Sequence, residues 1–217
     1  RYDLRITVSK KIKSVINNAK VIGVKRRAKY GIIQFDNYYS IIFHLGMSGS
    51  IVIERNKFEP LQKHDHIAIE FIKKNNSKIR FIFKDARRFG FFNIYHEEDY
   101  SYKNIFKKLG PEPLIKGFSV QNFYENLNKK KSSIKSLLLN QSIISGLGNI
   151  YVCESLFLSQ ISPFSLGCEL SLKDIECLYS KIEEVLKKAI REGGTTLQDH
   201  KNISGEIGYF QNYLSVY

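Results

Sequence analysis

The hydrophobic period of this chain changes once, and the change falls on Leu109-Gly110-Pro111-Glu112-Pro113-Leu114. Before that point apolar residues come in short runs, at 21–24, 30–35, 39–45, 50–53, 66–72, 79–83 and 91–95. They are rich in Ile, Val, Phe and Tyr, and Gly, Asn, Asp and Lys turns separate them. His66-Ile67-Ala68-Ile69-Glu70-Phe71 alternates as a strand does when one face is buried. Regular short strands of this kind predict an antiparallel sandwich or barrel-like sheet, with one short helix over 9–18 ahead of it. After the break the period becomes helical, and helices are predicted over 119–128, 133–139, 149–158 and 171–191. In the last, Ile175, Leu178, Tyr179, Ile182, Val185, Leu186, Ala189 and Ile190 form a continuous 3.6-residue stripe. Ser171 and Asp174 form a capping-box pattern at its start. Lys187, Lys188 and Arg191 complement its negative end, and Gly193-Gly194 stops it. The expected fold class is therefore α+β: an antiparallel β-sandwich over 1–108, then a helical domain over 109–217, divided where two prolines and a glycine interrupt the pattern.

Charge narrows the partner. Ten of the thirteen net positive charges fall in residues 1–100, which hold 20 Lys+Arg against 10 Asp+Glu. Such an imbalance favours a polyanion, most often nucleic acid. Abundant Lys, Ile and Asn would raise the isoelectric point by themselves, but do not explain why arginines sit beside Phe, Met and Gly turns. No apolar run is long enough to span a bilayer, and no signal-peptide pattern opens the chain. The expectation from these features is a soluble intracellular protein. Cys153, Cys168 and Cys177 have no metal-type spacing and read as buried free thiols.

Two stretches each end a predicted strand on a glycine turn: His44-Leu45-Gly46-Met47-Ser48-Gly49-Ser50 and Asp85-Ala86-Arg87-Arg88-Phe89-Gly90. They place Met47, Arg87 and Phe89 where a core does not call for them. In a basic protein that suggests a wedge: apolar side chains enter between base steps, and an arginine bonds base edges or phosphates. Gly146-Leu147-Gly148-Asn149-Ile150-Tyr151 lies between two predicted helices. It is either a phosphate site at a helix N-terminus or a plain turn capped by Asn149. Lys25-Arg26-Arg27-Ala28-Lys29-Tyr30 is a phosphate-binding cluster or a solvated strand edge. His64-Asp65-His66 has too few ligands for a metal, leaving a phosphate contact or a surface histidine. The polar, glycine-bearing stretch 193–208 is a loop that covers a ligand, or a simple surface loop.

The order of these motifs, with Gly193-Gly194-Thr195-Thr196-Leu197, resembles bacterial formamidopyrimidine-DNA glycosylase, the 8-oxoguanine repair family, over nearly the whole chain. The resemblance implies a β-sandwich and a helix-two-turn-helix domain with damaged double-stranded DNA bound between them, in a bacterial cytoplasmic, nucleoid-associated monomer. It implies base-excision repair: a hydrolase, at once DNA glycosylase and AP lyase, that flips out and removes oxidised purines. Met47, Arg87 and Phe89 would fill the gap, Arg87 bonding the orphaned cytosine and Phe89 wedging beside it, with Arg88 next to them on the DNA. Lys29, a supporting catalytic residue, and His64 would contact phosphates near the lesion. Lys135, Gly148 and Asn149 would contact phosphates from the helical domain. Thr195, Thr196, Gln198, Gly205 and Tyr209 would belong to the loop over the everted base.

The family's nucleophile is an N-terminal Pro followed by a Glu. Arg1-Tyr2-Asp3-Leu4-Arg5 matches instead a segment inside the first domain, so no residue here is assigned the nucleophile. The family's structural zinc, held by four cysteines in a C-terminal finger, likewise has no counterpart, and no cofactor is expected in residues 1–217. The expectation is a fragment of a repair enzyme, inactive as it stands. The alternatives are a short protein that binds lesions without cutting, or an RNA-binding structural protein.

Overall fold

The computed structural model describes residues 4, 6–195 and 208–217. Thr196, Gln198 and Gly205, expected in the lesion-covering loop, lie outside the described residues. The chain divides into two compact units, the first running to Lys103 and taking in Thr195 and Gly208, the second comprising Asn104–Gly194 and Tyr209–Tyr217. The division falls ahead of the break expected at 108/109. The glycine-proline segment is built into the second unit: Gly110 N–H donates to Gln141 O and Ser145 N–H to Pro111 O, both at 2.8 Å. The division cuts α2 (Tyr100–Ile105), a helix not anticipated because it buries no residue and carries no apolar stripe.

The first unit is a sandwich of two antiparallel sheets. One has the order β1 (Val21–Arg27), β2 (Tyr30–Phe35), β3 (Tyr39–His44), β7 (Phe91–His96). The other has the order β4 (Gly49–Arg55), β6 (Lys78–Asp85), β5 (Asp65–Ile72). Alternation along the strands sends Ile33, Phe35, Ile41, Phe92 and Ile94 of the first sheet against Ile69, Phe81 and Phe83 of the second. Phe83 meets Phe92 edge-on at 5.5 Å between ring centres, and Phe43 meets Phe81 at 5.8 Å. Offset and edge-on contacts of this kind stabilise beyond the area they bury. Helix α1 (Ile12–Ile16), shorter than the span read from sequence, rests Ile12, Val15 and Ile16 on the same core.

The second unit packs α3 (Val120–Leu127), α4 (Ile134–Leu139), α5 (Asn149–Leu158) and α6 (Leu172–Arg191). Ile175, Leu178 and Ile182 of α6 join Phe123, Leu127, Ile134, Leu137, Leu138, Val152 and Leu156 in its core. Further along, Val185 and Ala189 hold Phe210 of the C-terminal segment. The capping box is present, Ser171 and Asp174 each bonding the other's backbone N–H. Ile190 departs from the expected stripe and is 68 % exposed. The cysteines depart too: they are free, but Cys168 and Cys177 are exposed and Cys153 is only half-buried. Cys177 lies off the buried stripe of α6, and Cys168 sits in a 3-10 turn. Among the described residues no helix is long and apolar enough to cross a membrane.

Candidate nucleic-acid interface

Strand register gathers six of the expected site residues at one end of the sandwich. In the first sheet the start of β2 pairs with the end of β3 (Tyr30 with His44), which pairs with the start of β7 (His44 with Phe91). In the second sheet the start of β4 pairs with the end of β6 (Gly49 with Asp85), and the start of β5 pairs beside it (Asp65 with Lys84). Lys29, His64, Met47 and the Arg87-Arg88-Phe89 stretch all sit on the connections at that end.

The β3–β4 turn is closed by a 2.8 Å bond from Gly49 N–H to Leu45 O. Gly46 N–H donates to His44 Nδ1 at 2.9 Å, which makes that nitrogen the unprotonated one. Gly46 has φ +65°, and a Cβ there would lie 2.8 Å from the carbonyl carbon of Phe89. Only glycine meets both demands, the left-handed backbone and the close approach of a second turn. Met47, at the tip, is 75 % exposed. An exposed methionine beside a second exposed apolar side chain is the kind of surface a partner covers.

The β6–β7 connection is the neighbouring turn. Arg88 has φ 61°, a conformation that costs a non-glycine residue about 1–3 kcal/mol and persists only where its surroundings impose it. The Arg87 guanidinium lies over the Phe89 ring, 4.9 Å from its centre, and Phe89 is 46 % exposed. The pair presents a cation and an aromatic ring side by side on the surface.

Asp85 ties the two turns together. It is fully buried. One carboxylate oxygen accepts the Ser48 hydroxyl at 2.6 Å and the other accepts Gly90 N–H at 2.6 Å. Ser48 Oγ in turn accepts Arg87 N–H at 3.1 Å. The Asp85 carbonyl lies 2.7 Å from His66 Nε2, which must donate because a carbonyl only accepts. Asp85 N–H donates to His64 O at 3.1 Å. Asp65 pairs with Lys84 at 3.1 Å, so the two residues that follow the half-buried His64 have structural partners. Lys29 follows Ala28 (φ 51°) in the β1–β2 turn. Its side chain is exposed overall, yet desolvation of the ammonium lowers its pKa below the ordinary lysine value.

In the second unit Gly148, not Asn149, is the N-cap of α5, and no side chain caps that end. Asn149 is the first helical residue instead, and its Nδ2 donates to the Tyr217 hydroxyl at 3.1 Å. Buried Glu154, on the same helix, accepts the N–H groups of Ser215 and Val216 at 2.8 and 3.0 Å. Lys135 is half-buried in the first turn of α4, beside Cys153 and Phe157. Tyr209 is 55 % exposed, and its N–H donates to Glu192 O. Thr195, which belongs to the first unit, is half-buried. Sequence reasoning assigned no role to Ser48, Asp85, Glu154 or Tyr217. Ser48 and Asp85 lie inside the two quoted motifs, and a polar residue inside such a motif was the available signal. Among the described residues no three His, Cys, Asp or Glu side chains come together as metal ligands.

The two units correspond to two family models, the formamidopyrimidine-DNA glycosylase N-terminal domain over residues 1–92 and its H2TH domain over residues 109–201. The formamidopyrimidine-DNA glycosylase of Rickettsia felis is 43 % identical over 218 residues, covering 100 % of this chain and 76 % of that protein. Those of Rickettsia bellii and Erythrobacter litoralis are 43 % and 37 % identical, each with 77 % of its length covered. The Lactococcus lactis enzyme in complex with abasic-site DNA superposes with a TM-score of 0.83 at 33 % identity, over 95 % of this chain and 73 % of that one. The same enzyme with Fapy-dG DNA also gives 0.83 at 33 % identity, over 95 % and 74 %. With both units matched in order and the whole chain aligned, this chain belongs to the formamidopyrimidine-DNA glycosylase family.

Proposed function

We propose that residues 1–217 form the lesion-finding part of a base-excision-repair DNA glycosylase and AP lyase acting on oxidised purines. The observation that carries this reading is the pair of joined turns at one end of the sandwich, which hold Met47, Arg87 and Phe89 in solvent. Extruding a nucleotide costs a few kcal/mol of unstacking and unpairing. Met47 and Phe89 offset part of this by occupying the vacated stack, and Arg87 does so by bonding the unpaired cytosine. Lys29, His64 and Arg88 grip the backbone around the gap. Lys135, Asn149 and the uncapped N-terminus of α5 hold phosphates from the second unit, where open N–H groups and the helix dipole favour an anion. Thr195 and Tyr209 flank the stretch that would cover the everted base. Support comes from the L. lactis relatives, which are complexes with abasic-site and Fapy-dG DNA. The sugar chemistry requires an amine nucleophile, and no residue of 1–217 is assigned that part.

Fluorescence anisotropy tests the reading. The chain is titrated against a duplex carrying a tetrahydrofuran abasic analogue opposite dC, and against the same duplex intact. The gapped duplex should bind more tightly, and Arg87→Ala should reduce that preference by about 1–3 kcal/mol, the range for one good base contact. Equal affinity for both duplexes would refute the reading.

A further inference from the structure

We infer that Asp85 and Ser48 are positioning residues that hold the gap-filling side chains in one register, so that Met47, Arg87 and Phe89 enter DNA as a unit. The inference rests on the gap-filling role proposed above and adds what makes it work. Two turns 37 residues apart in sequence meet through one buried carboxylate and one hydroxyl. From the β6–β7 turn, Gly90 N–H reaches Asp85 directly and Arg87 N–H reaches Ser48 Oγ, which itself donates to Asp85. The backbone at both ends of the Arg87-Arg88-Phe89 stretch is therefore pinned, and one of the pins belongs to the turn that carries Met47. The chain at Asp85 is also held from the other side, by His66 at its carbonyl and by His64 O at its N–H. A carboxylate suits this place because it only accepts, and every group aimed at it is a donor. Asp85 and His66 are buried and Ser48 is half-buried. They act by restricting where the exposed guanidinium and ring stand, which matters because a misplaced contact forfeits much of its worth.

The test is the ratio of affinities for the tetrahydrofuran:dC duplex and the intact duplex, measured for wild type, Arg87→Ala, Ser48→Ala, Ser48→Thr and the Ser48→Ala/Arg87→Ala double variant. Ser48→Ala should lower the ratio about fivefold, the worth of one typical hydrogen bond. Ser48→Thr, which keeps the hydroxyl, should restore it. On the Arg87→Ala background the same change should add much less, because the group being positioned is gone. Asp85→Asn is the second route. It retains one acceptor for Gly90 N–H but replaces the charge-assisted bond from Ser48 with a neutral one in which the amide donates to Oγ, and it should lower the ratio in the same direction by less. If Arg87→Ala lowers the ratio while Ser48→Ala and Asp85→Asn leave it unchanged, or weaken both duplexes equally, the positioning role is wrong and the gap-filling role stands. If Arg87→Ala itself leaves the ratio unchanged, the gap-filling role is wrong and takes this inference with it.

Discussion

Gly46→Ala probes the contact between the two turns without touching a side chain proposed to meet DNA. Two costs follow from the geometry. The backbone sits at φ +65°, and placing an L-residue in the left-handed region costs about 1–2 kcal/mol. The new methyl would lie 2.8 Å from both the carbonyl carbon and the carbonyl oxygen of Phe89, and 2.9 Å from Gly90 N. All three are backbone atoms, so no rotamer change relieves the overlap. The turn holding Phe89 must instead retreat by roughly 0.6 Å to reach the 3.4 Å of ordinary contact. Overpacking of that kind costs about 1–3 kcal/mol more. The combined loss of about 2–5 kcal/mol corresponds to a Tm lowered by about 10 °C or more for a unit of this size. Gly117→Ala is the control: its φ is +82° but nothing lies within 4 Å, so it should show the backbone cost alone. Chemical and thermal unfolding followed by circular dichroism measures both variants. If Gly46→Ala costs no more than Gly117→Ala, the turns do not press on each other as described.

Other consequences are open to direct measurement. Lys29→Ala should flatten the dependence of log affinity on log salt by about 0.9, the contribution of one neutralised phosphate. The Lys29 pKa is lowered by desolvation from the ordinary 10.5, so raising pH from the lowered value towards 10.5 discharges the folded protein's amine before the unfolded chain's. Stability therefore rises across that alkaline window, while any phosphate contact made by Lys29 is lost. Wild type should consequently lose more DNA affinity there than Lys29→Ala does, as paired titrations would show. Ser171→Ala should destabilise the helical unit by about 1 kcal/mol through loss of the N-cap, visible in urea unfolding. The bonds from Ser171 hold the Asp174 pKa below the ordinary 3.8, so their stabilisation is complete above that value and disappears as pH falls through the lowered one. The difference between wild type and Ser171→Ala should shrink accordingly in acid.

How much of this was legible in the sequence depended on distance along the chain. Strands β2 and β3 and helix α5 lie where alternation and the Gly148-Asn149 start put them, because the signals that make them are local. Helix α2 left no sign, since no buried stripe runs through Tyr100–Ile105. Ile190 satisfies the periodicity of α6, but the residues burying that face stop at Ala189. Asn149 has the chemistry of a cap, yet the residue with extended backbone at that end is Gly148. The exposed members of the site were recognisable because Met, Arg and Phe on glycine turns stand out. The residues that hold them were not. Asp85 reads as one more turn aspartate until Ser48, 37 positions earlier, is brought to its side. Pairings of that range are set by sheet register, which no local pattern announces.

The strand register also gives the sandwich a polarity. Every residue of the sandwich proposed to meet DNA sits where Tyr30, His44, Gly49, Asp65 and Asp85 mark strand ends. The connections at Asn37–Tyr38 and Asn75–Asn76 close the opposite end, beyond the pairs Gln34 with Ser40 and Ile72 with Lys78. The whole length of the strands separates the two. Sequence drift, a spliced peptide or a reporter dye at Asn75–Asn76 therefore meets neither the joined turns nor the carboxylate between them. Of the unit's two rims, one carries the sandwich residues proposed to meet the duplex and the other carries none of them, and the second is where a handle for watching this protein on DNA belongs.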